Sequence, residues 1–354
     1  MRSVVARIDA WCRRGDLTVD DIAWCRIIFA GGLLLTLQQL GSLSNRPAER
    51  FDPPPGPFML VQSLPPHAVL EGLEIATAVL AALLLFGLNT RAVSILLALA
   101  LMTGFGLTFS FGKINHTIVL VLVPALMAFS AWGDAKSVAA DPARHDGDRP
   151  EVAQWPMRFL GLLIGLSFVT AGWAKLRSGW LDPDTHAVQG HFVRNYYNNG
   201  RTDWLASDIV GLDLGSWWEA ADWFTVALEL GLVLTLFRWG LFRVAIALTA
   251  LFHVGILMLM NIEFSWNMFG YAAFFRWSSI LPTPAHGVRL RRSVGYVVAV
   301  SVGLAAYAVH EWAGPEFQHD ARTAIVLIGG AAGAAYLAFL LLRVIPVRAP
   351  AAHQ

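Results

Sequence analysis

The sequence predicts an all-α, polytopic membrane protein: a helical bundle of about ten transmembrane helices, with an outer-face loop between the fifth and the sixth. Three observations carry that reading. Of 354 residues, 56% are hydrophobic and only 14% are charged, a balance foreign to soluble domains. Apolar runs long enough to cross a bilayer recur along the whole chain. The 14 Trp and 21 Phe suit interfacial belts and lipid-facing packing. The same composition excludes other classes. A formal net charge of +1 with no basic arm leaves nothing suited to nucleic acid. Cys12 and Cys25 form no CxxC pair, so neither a disulfide framework nor a cysteine metal site is supported.

Met1 to Asp21 carries arginines but no apolar core ending in a small-residue cleavage site. It is expected to be an amphipathic surface segment with no cleavable signal peptide. The first span follows, Ile22 to Leu40. Phe51-Asp-Pro-Pro-Pro-Gly-Pro-Phe58 then forms a connection in which no helix can persist. Spans two and three are Val69 to Leu88 and Ala92 to Phe111, and span four is Asn115 to Trp132. Asp134 to Gln154 is the most hydrophilic stretch and reads as a solvated loop. Span five, Met157 to Leu176, leads into a long aromatic and polar connection, Arg177 to Ser216. Spans six to eight are Trp217 to Phe237, Leu241 to Ile262 and Phe264 to Leu281. Val294 to Trp312 and Thr323 to Val344 complete the set; they are Gly/Ala/Val-rich, nearly free of charge, and expected to be peripheral packing. The chain thus divides into 1–21, a membrane domain over 22–281, and 282–354, holding the two peripheral spans and the tail.

Orientation follows from Lys and Arg. With both termini in the cytoplasm, the inner segments hold seventeen of these residues and the outer segments eight. The cytoplasmic membrane of a bacterium is the expected location. Asn115, His116, Lys175, the 177–216 connection and Glu263 would then share one membrane level on the outer side.

Lys175 closes an apolar run. A cation inside a membrane costs roughly 2.5 kcal/mol or more, so it is seldom there without a partner or a task. Ala171 and Gly172 share its helix face and would let a flat ring approach. Desolvation favours the neutral amine, a usable base. The competing reading is a lysine that snorkels to the headgroups. Asn115 suits a helix N-cap, which puts His116 in the first turn, where a neutral imidazole can donate to an oxyanion; an interfacial His beside a capping Asn is the alternative. His253 lies mid-span, on one face with Leu257 and Asn261, and as a lone residue reads more readily as a hydrogen-bonded core group than as a catalyst. Glu263, Asn267 and Tyr271 succeed one another at four-residue intervals, giving span eight a polar stripe usable for interhelical hydrogen bonds.

Glu71 and Glu74 lie in span two; Glu219, Asp222 and Glu229 share a face of span six. They can pair with Arg26, Arg91 or Arg243, or line a proton path. Structural pairing is favoured, because no Gly/Pro-broken pair of spans marks a transport site. In the outer loop, His186 and His191 near Asp182 and Asp184 match no metal signature. Trp180, Phe192, Tyr196 and Tyr197 read instead as a lid dipping into the interface. No metal is expected.

Three segments resemble one family. Thr170-Ala-Gly-Trp-Ala-Lys-Leu176 followed by Trp180 is similar to the AG-x-x-KL…W signature of the vitamin K-dependent gamma-carboxylase and its wider HTTM superfamily. Asn115-His116-Thr117 resembles the start of the fourth membrane helix there. Phe252-His253 with Phe264-Ser265, Met268-Phe269 and Tyr271 resembles its FH…FS-x-x-MF-x-Y stretch. Order and spacing agree from Ile22 to Leu281.

The resemblance implies a quinol-using membrane active site. Lys175 would be the base that deprotonates vitamin K hydroquinone or a related menaquinol. His116, with Asn115 beside it, would assist the oxygenated intermediate. O2 would attack the quinol anion, and the strong base so formed would remove a C–H proton, with CO2 as the carboxylase's acceptor. Gly172, Trp180, His253, Glu263, Asn267 and Tyr271 are the expected quinone-binding residues. Membrane lipid and an isoprenoid quinone are the expected partners, with a small peptide as a further substrate. Two departures stand out. Ala174 occupies the place of the carboxylase's second lysine, and the chain after Leu281 is too short for the large lumenal β-rich region. The final acceptor is therefore open. Two other readings remain: a non-redox accessory factor for maturing or exporting a small secreted peptide, and a proton-coupled transporter using the span-six carboxylates.

Overall fold

The computed structural model describes residues 2–138, 152–281 and 291–344. Most of the hydrophilic loop read from Asp134 to Gln154 lies outside the described residues, as do 282–290 and the tail from 345. The described residues contain α-helices and 3-10 turns and no strand. The helices are α1 (Arg2–Arg13), α2 (Val19–Leu35), α3 (His67–Leu85), α4 (Thr90–Phe109), α5 (Val119–Met127), α6 (Trp155–Arg177), α7 (Ala187–Asn199), α8 (Ala206–Ile209), α9 (Ser216–Thr235), α10 (Trp239–Met260), α11 (Ser265–Tyr271) and α12 (Arg292–Val344). Among the described residues, five helices are long and apolar enough to cross a membrane: α3, α4, α6, α10 and the long α12. The fold is the all-α membrane bundle that the composition predicts. The chain divides into two compact units, Met1–Ser167 with Phe264–Arg322, and Phe168–Glu263 with Thr323–Gln354.

In the first unit, α2 starts at a capping box. The Thr18 hydroxyl accepts the Asp21 amide at 3.2 Å, and the Thr18 amide donates to the Asp21 carboxylate at 2.8 Å, which satisfies two groups that a helix start leaves open. α2 packs on α3, α3 on α4 and α4 on α5. Arg26 is buried in α2, where its guanidinium donates to the carbonyls of Trp132, Ala135 and Lys136 and to the Ser137 hydroxyl. A buried guanidinium needs its donors satisfied. Arg26 therefore fastens the chain after α5, and no carboxylate is required of it.

Three apolar runs fold differently from the long helices expected of them. The first, Ile22 to Leu40, is helical only to Leu35. Its last leucine is nonetheless buried, because Leu40 joins Leu43, Leu70 and Leu107 in a core cluster backed by Phe51, Val61 and Phe111 under the Pro-rich connection. The fourth is a 3-10 turn followed by the nine-residue α5, which contains Pro124; at 1.5 Å per residue this is far below a full crossing. The eighth is the seven-residue α11 followed by 3-10 turns. There the Trp277 indole donates to the Ala272 carbonyl at 2.7 Å and the Ser278 amide to Asp21 at 2.8 Å. These two short elements, α5 and α11, pack on each other. The ninth and tenth runs are limbs of α12. They meet at Gly314, whose φ of +72° suits a residue without a Cβ, with Pro315 next.

The ninth run is mostly exposed or half-buried along its length but is tied to the rest of its unit by polar contacts. His310 is 2% exposed; its Nε2–H donates to the Leu34 carbonyl at 2.9 Å, and its Nδ1 accepts from Gln318 at 3.1 Å. The Tyr307 hydroxyl donates to Glu71 at 3.0 Å. Glu74 accepts the Gly41 amide at 2.8 Å.

In the second unit, α9 packs against α10 and α7, and α10 against α7 and α8. The long connection forms a helical layer with its own core: Phe192, Ala206 and Trp218, with Val188, Tyr196, Leu214 and Leu259 around them. Phe192 stacks on Trp218 with ring centroids 5.7 Å apart, so it belongs to this core and cannot dip into a bilayer as a lid residue. Tyr197 remains exposed.

Candidate functional site

Lys175 sits in the last turn of α6. Its Nζ donates to the Glu229 carboxylate of α9 in a short ion-paired hydrogen bond. The lysine side chain is 23% exposed and that of the glutamate 7%. The ammonium also lies 5.0 Å above the Trp180 ring, a cation–π contact. Lys175 is thus held at two points and does not snorkel freely. Its carboxylate partner comes from the same span-six face that the sequence singles out, but the pairing is with Lys175 and not with Arg26, Arg91 or Arg243.

Gly172 explains how α6 comes close enough. A Cβ built on it would lie 3.0 Å from Glu229 Cβ and 3.0 Å from Leu230. Glycine here lets the two helices approach, while Ala171 and Ala174 on the same helix are exposed. Beyond the α6 terminus, the chain returns over this end of the unit. The His191 ring of α7 lies 5.2 Å from Trp180. Burial pushes the His191 imidazole below its usual range, and Arg194 and Lys175 push it the same way. Asp222, one face along α9 from Glu229, caps α7: its oxygens accept the Ala187 and Val188 amides at 3.0 and 2.7 Å. His253 is buried in α10, its ring between Phe168 at 6.1 Å and Phe252 at 5.8 Å. Asn261 ends α10 in a left-handed conformation and donates to Asp203 at 2.7 Å.

The other predicted site residues lie in the first unit, apart from Glu263. Asn115 is the N-cap that the sequence predicts, although of a 3-10 turn; its Oδ1 accepts the Thr117 amide at 2.9 Å. The His116 ring rests 4.5 Å from Phe264 and 6.5 Å from Trp266. Trp266 in turn lies under the Arg322 guanidinium, at 4.9 Å. Asn267 donates to the Tyr271 hydroxyl at 3.3 Å, both side chains buried. The polar stripe is shorter than its spacing suggests, because α11 begins at Ser265 and Glu263 precedes it. The Thr117 hydroxyl and the Asn267 Oδ1 are buried without a hydrogen-bond partner among the described residues.

Spacing alone does not reveal Glu229 as the partner of Lys175 or Asp222 as the cap of α7. The sequence signal for both is the acidic face at 219, 222 and 229, which needs counter-groups that only the tertiary fold supplies.

No curated protein and no solved structure matches the chain. A family model, the HTTM domain, matches residues 17–279. That span takes in α2 to α11 and every residue described above except His310, Arg322 and their neighbours in α12. The chain belongs to the HTTM domain family, the membrane domain related to vitamin K-dependent gamma-carboxylase.

Proposed function

We propose that this protein is a membrane enzyme that activates a reduced isoprenoid quinone, vitamin K hydroquinone or a related menaquinol, with Lys175 as the base. The observation that carries the reading is the Lys175–Glu229 pair beneath Trp180, inside the family segment. A carboxylate bonded to the amine gives its proton somewhere to go. With the proton on Glu229, Nζ has a free electron pair and can take the O–H proton of a quinol. Trp180 offers an aromatic face to a flat ring, and the exposed Ala171 and Ala174 leave room beside it. The quinol anion then reacts with O2, by the family resemblance, to generate the strong base.

The family resemblance assigns His116, which follows the capping Asn115, the part of hydrogen-bond donor to the oxygenated intermediate, and assigns parts in quinone binding to His253, Glu263, Asn267 and Tyr271. CO2 and a small peptide are the acceptors tested first. The proposed location is the bacterial cytoplasmic membrane with both termini inside, from the Lys/Arg balance.

Two measurements test this. Extraction of the purified protein should yield an isoprenoid quinone by mass spectrometry. Supplied with reduced menaquinone and O2, the wild type should form oxygenated quinone, and Lys175→Ala should lose at least about a hundredfold in rate, the scale of a general base. Equal turnover by Lys175→Ala would sink the proposal.

A further inference from the structure

The connection that follows α6 brings together one imidazole and two carboxylates with no role in the quinol chemistry. His186 stands immediately before α7, and Glu219 and Asp222 lie one turn apart on α9. One ligand atom from each lies within 4.8 Å of the other two.

The surroundings of the two acids argue against a merely solvated cluster. Asp222 is 0% exposed. Its oxygens accept the Ala187 and Val188 amides, which leaves a second lone pair on each. Glu219 Oε1 accepts the Trp223 indole at 2.7 Å. Glu219 Oε2 is sealed from solvent and has no hydrogen-bond partner among the described residues. Among the described residues, no Lys or Arg ion pair compensates either acid, and the nearby Lys175 is committed to Glu229. Two carboxylates this close repel each other, and a cation between them relieves that repulsion. A buried acceptor oxygen with no donor among the described residues is the second sign that a group is to be bound there.

We propose that His186, Glu219 and Asp222 bind a divalent first-row transition metal ion, which clamps the start of α7 onto α9. The donor set decides the class of ion. Carboxylates alone suit Ca2+ and Mg2+, whereas an imidazole favours Zn2+ and its neighbours. Bond lengths of about 2.0–2.2 Å require the donors to draw together, and His186, exposed at the head of α7, is the one free to swing. Asp222 lies seven residues from Glu229, about 10 Å along the helix, so the ion would not touch the Lys175–Glu229 pair. The His186–His191 pairing considered from sequence does not form, since the His191 ring packs against Trp180.

The test uses the full-length, tag-free protein in detergent, stripped by a chelator and titrated with Zn2+. One Zn2+ per chain is expected, undisplaced by equal concentrations of Ca2+ or Mg2+. His186→Ala and Glu219→Gln should each weaken binding at least tenfold. Neither removes the Asp222 cap, so both should fold. Zn2+ should also slow trypsin cleavage after Arg194 and Arg201 in the wild type and not in the variants. A wild type that binds no Zn2+, or variants that bind it as tightly, would overturn the proposal.

Discussion

Lys175 and Glu229, 54 residues apart in the chain, share a proton-bearing contact between the end of α6 and the middle of α9. Each side chain accounts for the other. A lone ammonium or a lone carboxylate at this level is costly, and together they neutralise each other. Glu229→Ala should therefore destabilise the protein by about 1–3 kcal/mol, below the range for wholly buried pairs because the lysine remains partly exposed. The double variant Lys175→Met/Glu229→Leu should recover most of that stability without recovering turnover. Thermal unfolding in detergent and quinol turnover, measured on the same preparations, separate the two effects. A double variant as unstable as Glu229→Ala would show that the pair does not act as a unit.

Gly172 sets the spacing that makes this pair possible. Replacing it by Ala adds helix propensity worth up to about 1 kcal/mol but brings a methyl against Glu229 Cβ and Leu230, so a change near zero is expected. Valine cannot be taken in without parting the helices. Gly172→Val should cost about 1–3 kcal/mol and lower quinol turnover along with stability, read by the same two assays.

Asp222 ties α7 to α9 by accepting two amides at the α7 start. Asp222→Ala leaves both without an acceptor, and should cost about 1–2 kcal/mol, the upper part of the range for N-caps. The loss should be local. Hydrogen exchange across 187–199 should accelerate in the variant, while α3 and α4 of the other unit keep their protection.

The all-α membrane class was legible because it rests on bulk composition and run length, which tertiary contacts do not alter. Helix lengths were less so. The run to Leu40 and the runs holding α5 and α11 are apolar because they are buried in protein, and hydropathy does not distinguish that burial from contact with lipid. Asn115 was legible as a cap because its bond to Thr117 is local. Lys175 was legible as unusual by its position alone. Its partner was not, because a residue 54 positions away is chosen by packing at Gly172 and not by any periodicity. His310 escaped notice because its partners, Leu34 and Gln318, are a distant backbone carbonyl and a neighbour across the Gly314 break.

His191 supplies the pH dependence outside the membrane spans. Its imidazole is held below its usual range, first by burial and then by Arg194 and Lys175. The folded protein therefore resists protonation at His191, and as pH falls the unfolded chain takes up that proton first. Stability is full above the ordinary imidazole value near 6.5, declines as pH drops through it, and levels off below the depressed folded value. The decline should appear locally, as faster hydrogen exchange and faster trypsin cleavage across 187–199 at about pH 5 than at about pH 8, after correction for intrinsic rates. His191→Asn removes the titrating ring and should flatten the difference for this segment. A profile unchanged in His191→Asn would assign the sensitivity to another group, and a profile that rises toward acid would contradict the sign derived from the burial of the ring.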